Sequence, residues 1–189
     1  MSLTIDAPST WVQRFAARIP TGQVLDLACG GGRHARLLAA AGHAVLAVDR
    51  NADALASAAG DNIDTACVDL ESGDGATQLL LPSRFAGIVV TNYLHRPLLP
   101  LLFAGLADGG VLIYETFAHG NEAFGKPSSP AFLLQPGELL VAARESQAHV
   151  LAFEDGYRAL PSPAMLQRLC AIKWCSGMPA ELLRLSEDL

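Results

Sequence analysis

Three glycines in a row, Gly30, Gly31 and Gly32, follow an apolar run that contains a single acid, Asp26. Glycine permits positive φ and lets backbone N–H groups lie directly against a ligand. A helical pattern begins at Arg33. Its free amides and positive dipole end point at the same spot and favour a carboxylate or phosphate. Two further acids, Asp49 and Asp69, close the next two apolar runs. Gly30-x-Gly32-x-x-Ala35 satisfies the loose dinucleotide pattern, and Asp49 lies where a ribose-binding acid belongs. Asp26 argues against a pyrophosphate, because an acid beside it repels it, whereas a cationic amine wants that acid. Three acids at three successive strand ends describe a ligand with an ammonium group, a diol and an adenine.

These residues need strands to carry them. Apolar runs at 24–28, 44–48, 63–68, 85–91 and 110–116 alternate with helical patterns at 33–41, 52–59, 76–81 and 97–107. A first helix, 11–19, is capped by Ser9 or Thr10. Strand, helix and strand in repetition mean right-handed crossovers and a buried parallel sheet, with ligands at the carboxyl ends of its strands. From Phe117 to Gln135 the periodicity stops, and a loop of that length in a compact domain is usually functional. A short helix, 136–143, comes next. Two strands, 149–154 and 165–174, are joined by 155–158 and by Pro161 and Pro163, and read as an antiparallel hairpin at one sheet edge.

The 189 residues are 51% hydrophobic and 17% charged, with a net charge of −6, which suits one globular domain and not a broad grip on nucleic acid. No apolar run approaches a bilayer span, so no membrane association is expected. Residues 1–20 lack the pattern of a secretory signal, and the expected location is the cytoplasm. Cys29, Cys67, Cys170 and Cys175 show no CxxC spacing and are expected as small buried hydrophobes, with no metal site.

The segments "VLDLACGGGR", "VLAVDR", "CVDL" and "LADGGVLIYET" together resemble the class I S-adenosylmethionine-dependent methyltransferases over nearly the whole chain. Within that superfamily "CGGGRH", "NYLHRP" and "FLLQPGELL" look most like the tellurite-resistance, TehB-like branch. The resemblance implies an α/β, Rossmann-like, doubly wound seven-stranded sheet, mostly parallel with an antiparallel edge hairpin. It implies one domain over 1–189. Because the long loop follows the fifth strand, 118–135 is expected as a lid, with Phe117, Phe124 and Phe132 shutting out water, or else as a fixed connector with these phenylalanines packed in the core. Ala28 stands where the family usually has its first glycine, the mildest replacement, and Ala86 where it often has an aspartate.

The implied cofactor is S-adenosylmethionine. Asp26 holds its methionine amine, or else bonds the loop's own amides. Gly30 and Gly32 shape the pocket. Asp49 takes the ribose hydroxyls, or caps the helix at 51–59. Asp69 meets the adenine amino group beside the amide of Leu70, or is a loop acid. Arg50 covers an adenine face, Arg33 faces the cofactor carboxylate or the acceptor, and Asn92 fixes the methionine end; a surface arginine is the alternative for the first two. His95 as general base and Tyr93 at the methyl site are the catalytic candidates. Arg96, Lys126 and Arg158 are the candidates for binding a small, anionic or metalloid acceptor. In TehB-like proteins the terminal hairpin adds basic residues there; Tyr157 and Arg158 keep part of that, while Pro161 and Pro163 replace the rest. The rivals are a non-catalytic S-adenosylmethionine binder and an NAD-linked oxidoreductase, which lacks its Tyr-x-x-x-Lys here.

Overall fold

A computed structural model describes residues 7–184, so the domain expected over 1–189 is seen over that span. Seven strands form one sheet in the order β3-β2-β1-β4-β5-β7-β6. These are β1 (Gln23–Leu27), β2 (Ala44–Asp49), β3 (Ile63–Cys67), β4 (Phe85–Thr91), β5 (Leu106–Phe117), β6 (His149–Arg158) and β7 (Ala164–Ile172). The first five run parallel. β7 lies antiparallel to both β5 and β6, so it sits between them although it follows both in the chain.

Strand alternation sends successive side chains into two cores. Leu25 and Leu27 of β1 and Ile88 and Val90 of β4 pack with α4 (Gly75–Leu79), α5 (Leu99–Gly105) and α6 (Glu138–Glu145). Val24 and Val89 pack on the other face, with α1 (Thr10–Phe15), α2 (Arg33–Ala40) and α3 (Ala52–Ala58). The central strand β4 is buried at every residue, as a parallel strand covered on both faces must be. β3 is an edge strand and alternates poorly.

Several boundaries differ from the sequence expectation: the first helix ends at Phe15 and not at 19, α5 covers Leu99–Gly105 and not 97–107, and β7 ends at Ile172 and not at 174. Three others have a clear local cause. β5 starts at Leu106, four residues before 110, because Leu106 pairs with Phe85 across an irregular register. β6 continues through Arg158, since residues 155–158 pair with 164–167; the link of the hairpin is 159–163. α6 starts at Glu138, because Gly137 takes a φ of +72° outside the helix. Cys29 and Cys170 are buried as expected, but Cys67 is exposed on the edge strand and Cys175 only half-buried.

Two polar assemblies fasten the hairpin. Arg168 on β7 binds Glu115 on β5 at 2.6 Å and Glu154 on β6 at 2.8 Å, a row of charges across three strands. Glu115 is nearly fully buried, where an unpaired carboxylate is strongly disfavoured. On the other face, fully buried Gln167 accepts the Leu139 amide at 2.7 Å and donates to Asp155, which in turn accepts the Gly137 amide. The otherwise unsatisfied N-terminal amides of α6 are thus capped by side chains of the hairpin.

Candidate active site

A crevice of about 430 Å³ opens at the carboxyl ends of β1 to β5, across the point where strand order reverses between β1 and β4. Its wall takes Ala28 from the end of β1, Asp49 and Arg50 after β2, and Asp69, Leu70 and Glu71 after β3. Asn92, Tyr93 and Leu94 follow β4, Thr116 and Phe117 end β5, and Pro127 and Phe132 come from the long loop.

The glycine loop is built for close approach, but its glycines serve different ends. Gly30 (φ +54°) faces open space, with no atom within 4 Å of where a Cβ would stand. At Gly32 (φ +76°) a Cβ would meet the Ala58 Cβ at 2.5 Å, so this glycine exists to let α3 pack on the loop. Ala28 also adopts a positive φ, +55°, which explains why glycine is usual there. Arg36 clamps the loop to α3 by donating to the carbonyls of Gly31 and Ser57, both at 2.8 Å.

Asp49 braces the same loop. Its Oδ2 accepts the Gly30 amide at 2.8 Å and its Oδ1 the Asn51 amide at 2.9 Å. The cap of α3 is Asn51, which accepts from the Asp53 and Ala54 amides, so the capping alternative for Asp49 falls away. Asp69 accepts the Glu71 amide and the Ser72 hydroxyl, and these bonds hold its carboxyl below the usual range.

Asp26 does not reach the crevice wall. It is buried, and its Oδ2 accepts the amide of Ala35 in the first turn of α2 at 2.8 Å. The helix dipole and a free amide there satisfy the acid internally, which is the structural alternative in kind. Arg33 is half-buried and also outside the wall. His95 lies outside the wall, at the start of the turn over Arg96–Leu98.

The three basic candidates do not converge. Arg96 is consumed by the protein: it binds Glu138 with two bonds, at 2.7 and 2.9 Å, and donates to the carbonyls of Ala131 and Leu133. Glu138 also accepts the Gln135 amide, which ties the turn before α6 to its first residue. Arg158 turns to Ser162 in the hairpin link and lines a separate small depression. Lys126 is exposed and outside the wall, although its neighbour Pro127 is in it.

Two site features escaped the sequence. Glu71, next to Leu70, had no spacing to single it out. His34, in the run of α2, is buried; its Nε2 accepts the Ser9 amide at 3.0 Å and its Nδ1 lies 3.4 Å from the Thr91 hydroxyl. It ties the N-terminal segment to the end of β4.

Burial pushes the Asp26 carboxyl up to about 7 from 3.8, and burial helped by the Arg33 charge pulls His34 down to about 4 from 6.5. The stability Asp26 adds is complete below its unfolded value and is lost as pH rises through about 7. That from His34 is complete above 6.5 and is lost as pH falls toward 4. Between roughly pH 4 and 6.5 the two oppose each other. The variant Asp26→Asn leaves only the His34 effect, and its stability is expected to climb over that window by up to about 1.4 kcal/mol per pH unit. His34→Gln should show the opposite slope. Urea unfolding at several pH values measures both; equal slopes would refute the pairing.

Residues 24–108 match the family described as "Methyltransferase domain". Over 115 residues the chain is 36% identical to protein-L-isoaspartate O-methyltransferase of Chlorobaculum tepidum, a match covering 58% of this chain and 53% of that one. The chain thus spans about half the length of that relative. Among solved structures, TehB from Haemophilus influenzae superposes with a TM-score of 0.68 at 20% identity, over 88% of this chain and 62% of that one. An S-adenosylmethionine-dependent methyltransferase from Mesorhizobium loti gives 0.65 at 18% identity, over 87% and 98%. The 1,6-didemethyltoxoflavin-N1-methyltransferase of Burkholderia thailandensis gives 0.61 at 18%, over 88% and 79%. The matched segment, less than half of the chain, is similar to a methyltransferase domain, and the fold is that of the class of solved S-adenosylmethionine-dependent methyltransferases. The methyl donor of that class is S-adenosylmethionine. Among the described residues no helix is long and apolar enough to cross a membrane.

Proposed function

We propose that the chain transfers a methyl group from S-adenosylmethionine to a small acceptor that enters on the β4–β5 side of the crevice. The supporting observation is the crevice at the strand ends, where Ala28 and two carboxylates, Asp49 and Asp69, stand in the wall after β1, β2 and β3, while Gly30 and Gly32 lie just outside it and Gly30 is tied to Asp49. These residues fit the donor: Asp49 keeps lone pairs for a diol, Asp69 stands at the far end for an amino group beside Leu70, and Asn92 borders the methionine end. Bound S-adenosylmethionine supplies an activated methyl group on a sulfonium, so the chain's own task is alignment and exclusion of water. A soft acceptor then needs no base, in keeping with His95 lying off the wall.

With Asp26 buried off the wall, the argument against a dinucleotide rests on the wall carboxylates instead. Wall carboxylates repel a pyrophosphate, and Asp49 already occupies the Gly30 amide that a phosphate would use. Calorimetry is expected to show S-adenosylhomocysteine binding and no comparable NAD binding; tighter NAD binding would overturn the assignment.

We further place a lid in the exposed tip of the long loop. Its base is pinned: the His119 amide donates to the Leu134 carbonyl, the Leu134 amide donates to the Phe117 carbonyl, and buried Asn121 accepts the Met165 amide and donates to the Pro127 carbonyl. Arg96 also holds the carbonyls of Ala131 and Leu133, so motion over 118–135 is confined to about residues 122–130, where hydrogen exchange should slow when S-adenosylhomocysteine is bound. Strong protection without ligand would rule the lid out.

A further inference from the structure

We infer that the acceptor side of the crevice takes a small uncharged or cationic ring-bearing molecule and disfavours anions. The inference rests on the methyltransferase reading above and names the substrate class of that same site.

Three observations carry it. The first is the shape of the wall at this end, where Phe117, Phe132, Pro127 and Tyr93 supply flat or apolar surface. Rings stack on such surfaces in offset or edge-on contact. Phe132 is half-exposed, yet it is not a loose side chain on a loop. The carbonyls on either side of it, of Ala131 and Leu133, are both gripped by the Arg96 guanidinium, at 2.9 and 2.8 Å. Glu138 fixes that guanidinium in turn. Arg96 is a positioning residue for Phe132, not an anion receptor.

The second is charge. The wall carries the carboxylates of Asp49, Asp69 and Glu71 against the single cation Arg50. Asp69 is held ionised by its hydrogen bonds. An anionic acceptor would enter against this field.

The third is the Tyr93 hydroxyl, which is buried, makes no hydrogen bond of good geometry and has the Glu71 carboxylate as its polar neighbour. Burial, with the neighbouring Glu71 charge, pushes its ionisation well above the ordinary phenol range, so it stays a neutral donor. A buried donor held this loosely is costly, and a ring nitrogen or carbonyl on the ligand would complete its bonding.

The test uses the full chain, first titrated with S-adenosylhomocysteine by calorimetry. Failure of that step overturns the crevice assignment, and this inference with it. On the loaded protein, quinoline, quinoline-4-carboxylate and selenite are then compared by calorimetry and ligand-observed NMR. Quinoline is expected to bind at least about tenfold tighter than its carboxylate, with selenite not binding. Phe132→Ala should weaken quinoline about fivefold while leaving S-adenosylhomocysteine affinity unchanged. Glu71→Gln should narrow the gap between the two quinolines, and Lys126→Ala should change neither. Equal or tighter binding of the carboxylate or of selenite, or no quinoline binding at all, overturns the substrate class while the methyltransferase reading stands. Unchanged quinoline affinity in Phe132→Ala overturns the aromatic wall.

Discussion

Gly32→Ala is expected to destabilise the protein by about 2–5 kcal/mol, more than the same change two residues earlier. The added methyl would stand 2.5 Å from the Ala58 Cβ and 2.7 Å from its Cα, and a backbone atom cannot swing aside. Either α3 shifts away from the loop or the loop deforms; overpacking of this kind costs about 1–3 kcal/mol. The left-handed φ of +76° adds about 1–2 kcal/mol for any residue with a Cβ. At Gly30 only the second effect applies, because the space there is open, so Gly30→Ala should lose about 1–2 kcal/mol. Urea unfolding of the two variants makes the comparison. Equal losses would mean that α3 does not rest on Gly32.

For Asp49→Ala the larger effect should fall on the cofactor. Affinity for S-adenosylhomocysteine is expected to weaken by about 2–4 kcal/mol, through lost bonds to a charged acceptor and unpaired ribose hydroxyls. Stability should also fall, by about 1–2 kcal/mol, since the Gly30 and Asn51 amides lose their acceptor. Asp49→Asn keeps one acceptor oxygen and should lie between. Calorimetry and urea unfolding on the same preparations separate the two roles. Unchanged affinity with lowered stability would make Asp49 a brace for the loop and nothing more.

The parallel half of the sheet was legible because burial on both faces writes itself as apolar runs, and β4 came out at its expected bounds, Phe85–Thr91. Acids at strand ends were legible too, since Asp49 and Asp69 stand where apolar runs stop, and both line the crevice. The side chains whose partners are distant in sequence were not. Arg96 is consumed by Glu138 and by carbonyls more than thirty residues away, and nothing local announces that. Asp26 looked like a ligand-binding acid because a buried acid beside glycines suits either role; which amide it takes depends on where α2 begins. His34 gave no signal at all, since a lone histidine in an apolar helix reads as an ordinary helical residue until Ser9 and Thr91 are folded onto it. The hairpin ran long because Asp155, Tyr157 and Arg158 look like turn residues, while pairing with β7 keeps them extended.

The placement of β7 between its two predecessors has a consequence for how the protein is made. As the chain leaves the ribosome, β1 to β5 can pair in turn, but β6 then emerges with no neighbouring strand to bond. β5 meanwhile shows a bare edge of amides and carbonyls, the kind of edge on which other chains add strands. Only when residues 164–172 slide into the gap are both strands satisfied, Arg168 neutralises Glu115, and Gln167 caps α6. The β5 side of the crevice, with Thr116 and Phe117, is therefore secured later than the side built on β1 to β3. A nascent chain that stalls before β7 carries a nearly finished cofactor side beside an open, aggregation-prone flank.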